Sequence, residues 1–279
     1  MKIRQALPQL LKRQYPIVKA GYPLLVVLYL LRMQDVDAVP ILPVTRKGAR
    51  AVFGFSSLPQ FMNLGPEGFA KLLRGPCEVA SDELTLVDAD DELESLLKAF
   101  ESRKLGFALA HDGGRTTRSG LVSLSDVLSL YGGGVIRSEA TVEEVSTPIF
   151  SMPASTTVRE ALKAMFSHRY RRVFLSGDEG SSYVSDRSIM SYLFSPMVLE
   201  DLGREDGRDV LSTPIAKIDK ATASVVSSRA SLKASALALR KDRGGCLVTY
   251  EGRVLTPWDA VMKPWASGKL TIKDRPSRA

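Results

Sequence analysis

The sequence predicts an α/β protein built from four repeated units, each running helix, strand, hairpin, strand, helix. Three observations carry that reading. The stretch Gly120 to Asp126 sets a strand end, then a hydroxyl residue, then a carboxylate three positions on that opens a new apolar helix pattern. Counterparts at Val52–Pro59, Ser182–Ser188 and Arg253–Asp259 put hydroxyls at Ser56, Ser123, Ser185 and Thr256, spaced 67, 62 and 71 residues apart. The words Val145-Ser146-Thr147-Pro148-Ile149 and Leu211-Ser212-Thr213-Pro214-Ile215 agree at four of five places, an independent mark of duplication.

A chain of 279 residues suggests two domains of about 140 residues each, which four units fill two by two. Hydrophobic content of 44% and charged content of 25% are those of a globular protein with sufficient core. The expected division is a first pair at 1–132, with repeats at about 15–64 and 72–131, and a second pair at 135–279, with repeats at about 141–196 and 209–264. The glycines Gly132, Gly133 and Gly134 are read as a helix cap and joint between the halves.

In repeat 1 the apolar run Leu24 to Leu31 is half the length a membrane-spanning helix needs and is expected to be a buried helix. A β-rich run at Val36–Leu42 and a strand at Ala51–Phe55 follow. Repeat 2 has a helix with Leu93, Leu96, Leu97 and Phe100 on one face behind acidic Asp88, Asp90 and Asp91. Its strand Gly106–Ala110 leads through a polar loop, His111 to Ser119, to the return strand Gly120–Val122. Repeat 3 carries a helix with Val158, Leu162 and Met165 inward and a strand at Arg172–Leu175. Repeat 4 carries a helix at Leu232–Arg240, then strands Cys246–Thr249 and Arg253–Leu255. Beyond Trp265 the chain is polar and basic and is expected to fray.

Several function classes have little to build on. Cys77 and Cys246 are far apart and show no metal-ligand spacing, so buried thiols in a reducing compartment are expected. The two histidines, His111 and His168, offer no zinc set or catalytic triad, and no nucleophile with its base is apparent, so no enzyme activity is expected. No small-residue cleavage site follows the apolar run, which leaves a cytoplasmic location as the expectation. A net charge of +7 and a pI near 9.4 admit a basic, nucleic-acid-associated regulator, but the cations are scattered apart from the first 19 residues and the tail Lys269, Lys273, Arg275 and Arg278.

Four such units, with strand-Ser/Thr-x-x-Asp-helix elements and the helix start Thr157-Val158-Arg159-Glu160-Ala161-Leu162, resemble CBS domains (cystathionine β-synthase type repeats). The resemblance covers all but about fifteen residues at each end. It implies β-α-β-β-α repeats paired into two Bateman modules and a stand-alone regulatory sensor. Such a sensor takes adenosine-containing ligands, AMP, ADP, ATP or S-adenosylmethionine, in clefts between paired repeats, with no other cofactor. Its partner would be another protein or a second copy, and the apolar positions Leu128, Leu130, Val261 and Met262 would form either a module-to-module or a subunit contact.

A hydroxyl at a helix N-terminus can join free amides in holding a phosphate, and a carboxylate three residues later can accept from both ribose hydroxyls. The same spacing is that of a helix capping box, and one occurrence fits either role. Ser123 with Asp126 and Thr256 with Asp259 are intact, whereas repeat 1 has Pro59 and repeat 3 has Ser188 in the carboxylate's place, with an acid shifted to Asp186. One strong cleft per module is the expectation. By the family's pattern, Asp37 and Ala38 would face Asp126, while Ile149, Arg171 and Arg172 would face Asp259, the two arginines clamping a phosphate. Asp37 would then repel a phosphate and favour a ligand of little negative charge.

Overall fold

The computed structural model describes residues 1–45, 48–54, 60, 63–112, 115–177, 181–203, 209–241 and 245–273. The repeat 1 element at Ser56, Ser57 and Pro59, and the tail cations Arg275 and Arg278, lie outside the described residues.

The helices follow the apolar stripes closely. Leu24–Met33, Leu93–Arg103, Val158–His168 and Leu232–Lys241 form the first helix of each repeat. The expected inward residues Leu93, Leu96, Leu97 and Phe100 are fully buried, as are Val158, Leu162 and Met165. Each such burial contributes about 1.5–3 kcal/mol. Repeats 1, 2 and 3 end this helix in the same way: Asp35, Lys104 and Arg169 take left-handed backbone with φ of 51°, 54° and 56°. The first helix of repeat 1 is apolar all round but buried on one side only. Leu24, Val27, Leu28 and Leu31 are inside, while Val26, Tyr29 and Met33 face outward. Among the described residues no helix is long and apolar enough to cross a membrane.

The main sheet of each repeat opens with a parallel pair and continues antiparallel. In repeat 4 the order is Ser224–Val226, Leu247–Thr249, Arg253–Leu255 and then Thr147–Pro148. That last strand comes from the segment that enters repeat 3. The sheet of repeat 3 is completed in turn by Ala221–Thr222, from the segment entering repeat 4. Repeat 1 receives Ser81–Leu84 from the segment entering repeat 2. On repeat 2, the short helix Leu10–Lys12 from the start of the chain lies against the strand Arg115–Ser123. Repeats 1 and 2, and repeats 3 and 4, thus exchange their entering segments.

The compact units nonetheless differ from the expected division at 132–135. One unit is Met1–Gln14, Thr85–Ile149 and Ala223–Ala279, and the other is Tyr15–Leu84 and Phe150–Thr222. The physical reason is helix packing between alternate repeats. In the first unit Leu124–Gly132 of repeat 2 packs on Leu232–Lys241 and Pro257–Ala266 of repeat 4, and the Tyr131 hydroxyl donates to the Ala260 carbonyl at 2.8 Å. Leu128, Leu130, Val261 and Met262, expected at a module-to-module or subunit contact, are buried in this core shared by repeats 2 and 4, which is the first of those alternatives. In the second unit Leu24–Met33 of repeat 1 packs on Asp186–Leu193 of repeat 3, and Pro66–Arg74 packs on Pro196–Gly203.

The glycine run does end a helix, with Gly134 at φ 67°, yet no joint follows it. Val135 and Ile136 are buried, and Ile136–Ser138 pairs with Leu270–Ile272. The start of the basic tail is therefore a strand rather than frayed chain, and Lys269 pairs with Glu144 at 2.6 Å. The polar loop of repeat 2 is also shorter than expected, because the hairpin strands run on to Asp112 and from Arg115. Cys77 and Cys246 are both buried, as expected, and burial, seconded by Glu78, pushes the Cys77 thiol up to about 11.

Gly120, inside the most regular repeat element, is fixed by a close approach. A Cβ there would sit 2.3 Å from the Leu10 carbonyl oxygen, so only glycine lets the entering segment lie on this strand. Gly120→Ala is expected to destabilise the protein by about 2 kcal/mol or more, a backbone overpacking cost, read as a lowered Tm. An unchanged Tm would contradict the close packing of the first fourteen residues on repeat 2.

Candidate functional site

Both intact hydroxyl-carboxylate elements close helix starts by the same geometry. Asp126 Oδ2 accepts from the Ser123 backbone N–H at 2.9 Å and from its hydroxyl at 3.0 Å. Asp259 Oδ2 accepts from the Thr256 backbone N–H at 2.9 Å and its hydroxyl at 2.7 Å, and the Asp259 N–H donates back to Thr256 Oγ1 at 3.3 Å. Each carboxylate thereby gives one oxygen to the cap. The capping reading of these residues is thus realised in full.

The other oxygen of each carboxylate holds a cation of the protein. Arg13, on the exchanged N-terminal segment, reaches Asp126 Oδ1 at 2.8 Å. Lys263, one turn along the helix, reaches Asp259 Oδ1 at 2.8 Å, and Thr147 of the exchanged strand donates to the same oxygen at 3.1 Å. Lys263 also donates to Thr147 Oγ1 at 2.8 Å and to the Val145 carbonyl. Ile149 is part of this surround, its N–H bonded to the Gly252 carbonyl at 3.1 Å.

Repeat 3 shows what the loss of the carboxylate does. Ser185 still caps its helix by accepting from the Ser188 N–H at 3.1 Å, with the two hydroxyls 3.0 Å apart. The threonine equivalent to Thr147 is Thr213, and it bonds Tyr192, which stands where repeat 4 has Lys263, at 2.6 Å. Ser188 and Tyr192 thus replace the carboxylate and cation, leaving a helix cap alone.

The remaining predicted residues have other occupations. Ala38 is fully buried and pairs with Phe53 in the sheet. Asp37 is held by Arg171 Nη1 at 2.9 Å and Arg187 Nη2 at 3.3 Å. Arg171 also binds the nearly buried Asp186 through Nε at 2.7 Å, and Arg187 binds Asp35. Arg172 projects the other way, over the Tyr183 ring with 5.6 Å to its centroid. The expected two-arginine phosphate clamp is therefore not formed, because Arg171, in the bend before the strand, is held by Asp37 and Asp186 while Arg172, the first strand residue, lies over Tyr183. Nor does Asp37 present an uncompensated charge. Burial works to raise its pKa, but Arg171 and Arg187 outweigh that and hold it below the ordinary 3.8. The same carboxylates hold Arg171 above the usual arginine range despite burial.

Arg13, Thr147, Lys263, Asp35 and Arg187 were not singled out by the sequence pattern. Lys263 had a signal, four residues after Asp259 on one helix face, and Arg187 adjoins the displaced Asp186. Arg13 had none, lying outside the repeats. Among the described residues no cluster of three or more His, Cys, Asp or Glu could hold a metal ion.

Comparisons agree with this architecture. Residues 142–195, most of repeat 3, match the CBS domain family. The fold of the whole chain is similar to that of a protein of Methanocaldococcus jannaschii described as a proposed archaeal homologue of g-AMPK. The TM-score is 0.80 at 12% identity, covering 95% of this chain and 100% of that one. It is also similar to an uncharacterized conserved protein of Pyrococcus horikoshii, with TM-score 0.50 and 14% identity over 80% of this chain and 89% of that one. No curated protein matches the sequence significantly. By that match residues 142–195 are a CBS domain.

Because Asp37 is shifted down on folding, its ion pairs stabilise the protein fully above pH 3.8, and that contribution is lost as pH falls through the lowered folded value. Asp37→Asn is expected to cost about 2 kcal/mol at pH 7, the scale of a charge-assisted hydrogen bond. The gap in Tm from wild type should close toward pH 3; a gap of equal size at both pH values would contradict the ion-pair role.

Proposed function

We propose that this protein is a regulatory, non-catalytic ligand sensor that binds an adenosine-containing molecule, of the AMP, ADP, ATP or S-adenosylmethionine class, at Ser123 with Asp126 and at Thr256 with Asp259. The observation that carries the reading is the state of the carboxylate's second oxygen. In both elements Oδ2 is committed to the cap, while Oδ1 faces a cation from an exposed or half-exposed side chain, Arg13 or Lys263. The cations are exposed or half-exposed while the carboxylates are largely buried, so the pair opens only as incoming ribose hydroxyls donate to the same Oδ1 and keep the buried charge satisfied. The displaced cation then lies beside the ligand, where a phosphate at the helix N-terminus would attract it.

Both intact elements fall in the unit that joins repeats 2 and 4. The described altered copy, at Ser185 and Ser188, belongs to the other unit. The reading therefore assigns the adenosine ligand to the first unit. Its helices from two repeats share one core, so a shift of the Pro257 helix start on binding would be passed to the Leu124–Gly132 helix through the Tyr131 to Ala260 bond.

Calorimetric titration of AMP and of S-adenosylmethionine tests the assignment. Asn at 126 or 259 keeps a side-chain oxygen for the cap but loses the charge and an acceptor. Asp126→Asn and Asp259→Asn are each expected to weaken one site about ten-fold or more, the value of one charge-assisted hydrogen bond. Unchanged titrations with both ligands in both variants would remove these elements from consideration.

A further inference from the structure

The unit joining repeats 1 and 3 holds a cavity of about 360 Å³, within the range of small-ligand sites. Three guanidiniums line it: Arg32 from the C-terminal turn of the first helix of repeat 1, and Arg171 and Arg187 from repeat 3. Its apolar wall comes from Leu31, Met33 and Met190, with Gly54 leaving the floor open. A Cβ at Gly54 would lie 3.0 Å from the Met190 sulfur, so the absence of a side chain there keeps room beside the thioether.

The chemistry of the lining is rich in donors. A guanidinium carries five N–H groups. Among the described residues, Arg171 is bonded through one N–H each to Asp37 and Asp186, and Arg187 through one each to Asp35 and Asp37. Arg32 donates to the Ser191 hydroxyl at 3.0 Å and more weakly to the Met33 sulfur, and among the described residues no carboxylate pairs with it. Ser191 is one helical turn from Arg187, so the bond from Arg32 brings both guanidiniums to the same side of that helix. Two carboxylates, Asp35 and Asp37, are the cavity's only acidic lining groups among the described residues. Asp37 is 19% exposed and doubly paired, whereas Asp35 is 66% exposed and touches Arg187 alone. Asp35 is therefore the acceptor most readily exchanged.

We propose that this cavity binds a small oxyanion, a phosphate or carboxylate borne on a flat apolar body. Arg32 and Arg187 grip the oxyanion, which replaces Asp35 on Arg187, and the body lies against Leu31, Met33 and Met190. The site is separate from the adenosine elements of the other unit and does not depend on them. Asp35, in left-handed backbone just after the helix, acts as an internal competitor that sets the affinity.

Phenyl phosphate and inorganic phosphate serve as probes, because neither carries a ribose and a result with them says nothing for or against Asp126 and Asp259. Calorimetry on the full chain should show one site for phenyl phosphate, tighter than for inorganic phosphate because of the apolar wall. Arg32→Gln and Arg187→Gln should each weaken it about ten-fold, and Asp35→Asn should tighten it several-fold. Benzoate distinguishes a general oxyanion site from one selective for phosphate: binding within ten-fold of phenyl phosphate supports the general form stated here, and a complete lack of benzoate binding overturns it. Arg32→Gln and Asp35→Asn should keep wild-type Tm values within a few degrees, whereas Arg187→Gln also takes a partner from Asp37 and should lower Tm, so Arg32→Gln carries the binding test. No heat with phenyl phosphate at millimolar concentration, equal affinity in wild type and Arg32→Gln, or weaker binding by Asp35→Asn would each overturn the proposal.

Discussion

The strand Arg253–Leu255 has an edge that its own repeat does not fill, and Thr147–Pro148, arriving from the segment that enters repeat 3, pairs with it. An open edge exposes a row of unmatched N–H and C=O groups, so each sheet needs such a cover. Here repeats 1, 3 and 4 take it as a strand from the segment entering the sister repeat, and repeat 2 is flanked by the short N-terminal helix Leu10–Lys12. This exchange does more than finish the sheets. It carries Thr147 to Asp259 Oδ1 and, on the N-terminal segment, Arg13 to Asp126 Oδ1. It also fixes Gly120, where the Leu10 carbonyl leaves no room for a side chain. The candidate ligand carboxylates therefore owe their surroundings to segments that lie outside the repeats they serve.

The two units have settled the same inherited geometry in different ways. Where the carboxylate survives, one oxygen caps the helix and the other meets a cation that can leave. Where it is lost, as at Ser188, the cap persists through Ser185 and the neighbouring contact becomes the Tyr192 to Thr213 hydroxyl pair. Charge has moved instead to the displaced acid Asp186, which with Arg171, Asp37, Arg187 and Asp35 forms a chain of ion pairs between repeats 1 and 3. Breaking such a partly buried network leaves charges without partners, which is why Asp37 reads as a structural group rather than a ligand contact.

Much of this was legible before any coordinates. The four first helices are plain in the sequence because each buries a stripe at i, i+3, i+4 and i+7, and the stripes of Leu93 and Val158 lie where the periodicity puts them. Ser123, Asp126, Thr256 and Asp259 could be found because their spacing recurs, although the same spacing served cap and ligand equally. The interleaving of the units could not be found. It depends on which helix faces meet, and Leu128, Leu130, Val261 and Met262 look alike in sequence whether they join the two modules of one chain or two subunits. The exchanged strands were hidden for another reason: Thr147–Pro148 and Ala221–Thr222 are two residues long, too short for any alternation. Arg171 and Arg172 were misleading as a pair because one ends the bend before the strand and pairs with Asp37 and Asp186, while the other opens the strand and lies over Tyr183.

The central claim is that a ligand's ribose takes over the carboxylate oxygen now held by an internal cation. A crystal structure of the protein grown with AMP tests this most directly. Ribose hydroxyls are expected within hydrogen-bonding distance of Asp259 Oδ1, with Lys263 moved off that oxygen and the Thr256 to Asp259 cap unchanged. AMP bound elsewhere, with the Lys263 to Asp259 and Arg13 to Asp126 pairs both intact, would contradict it.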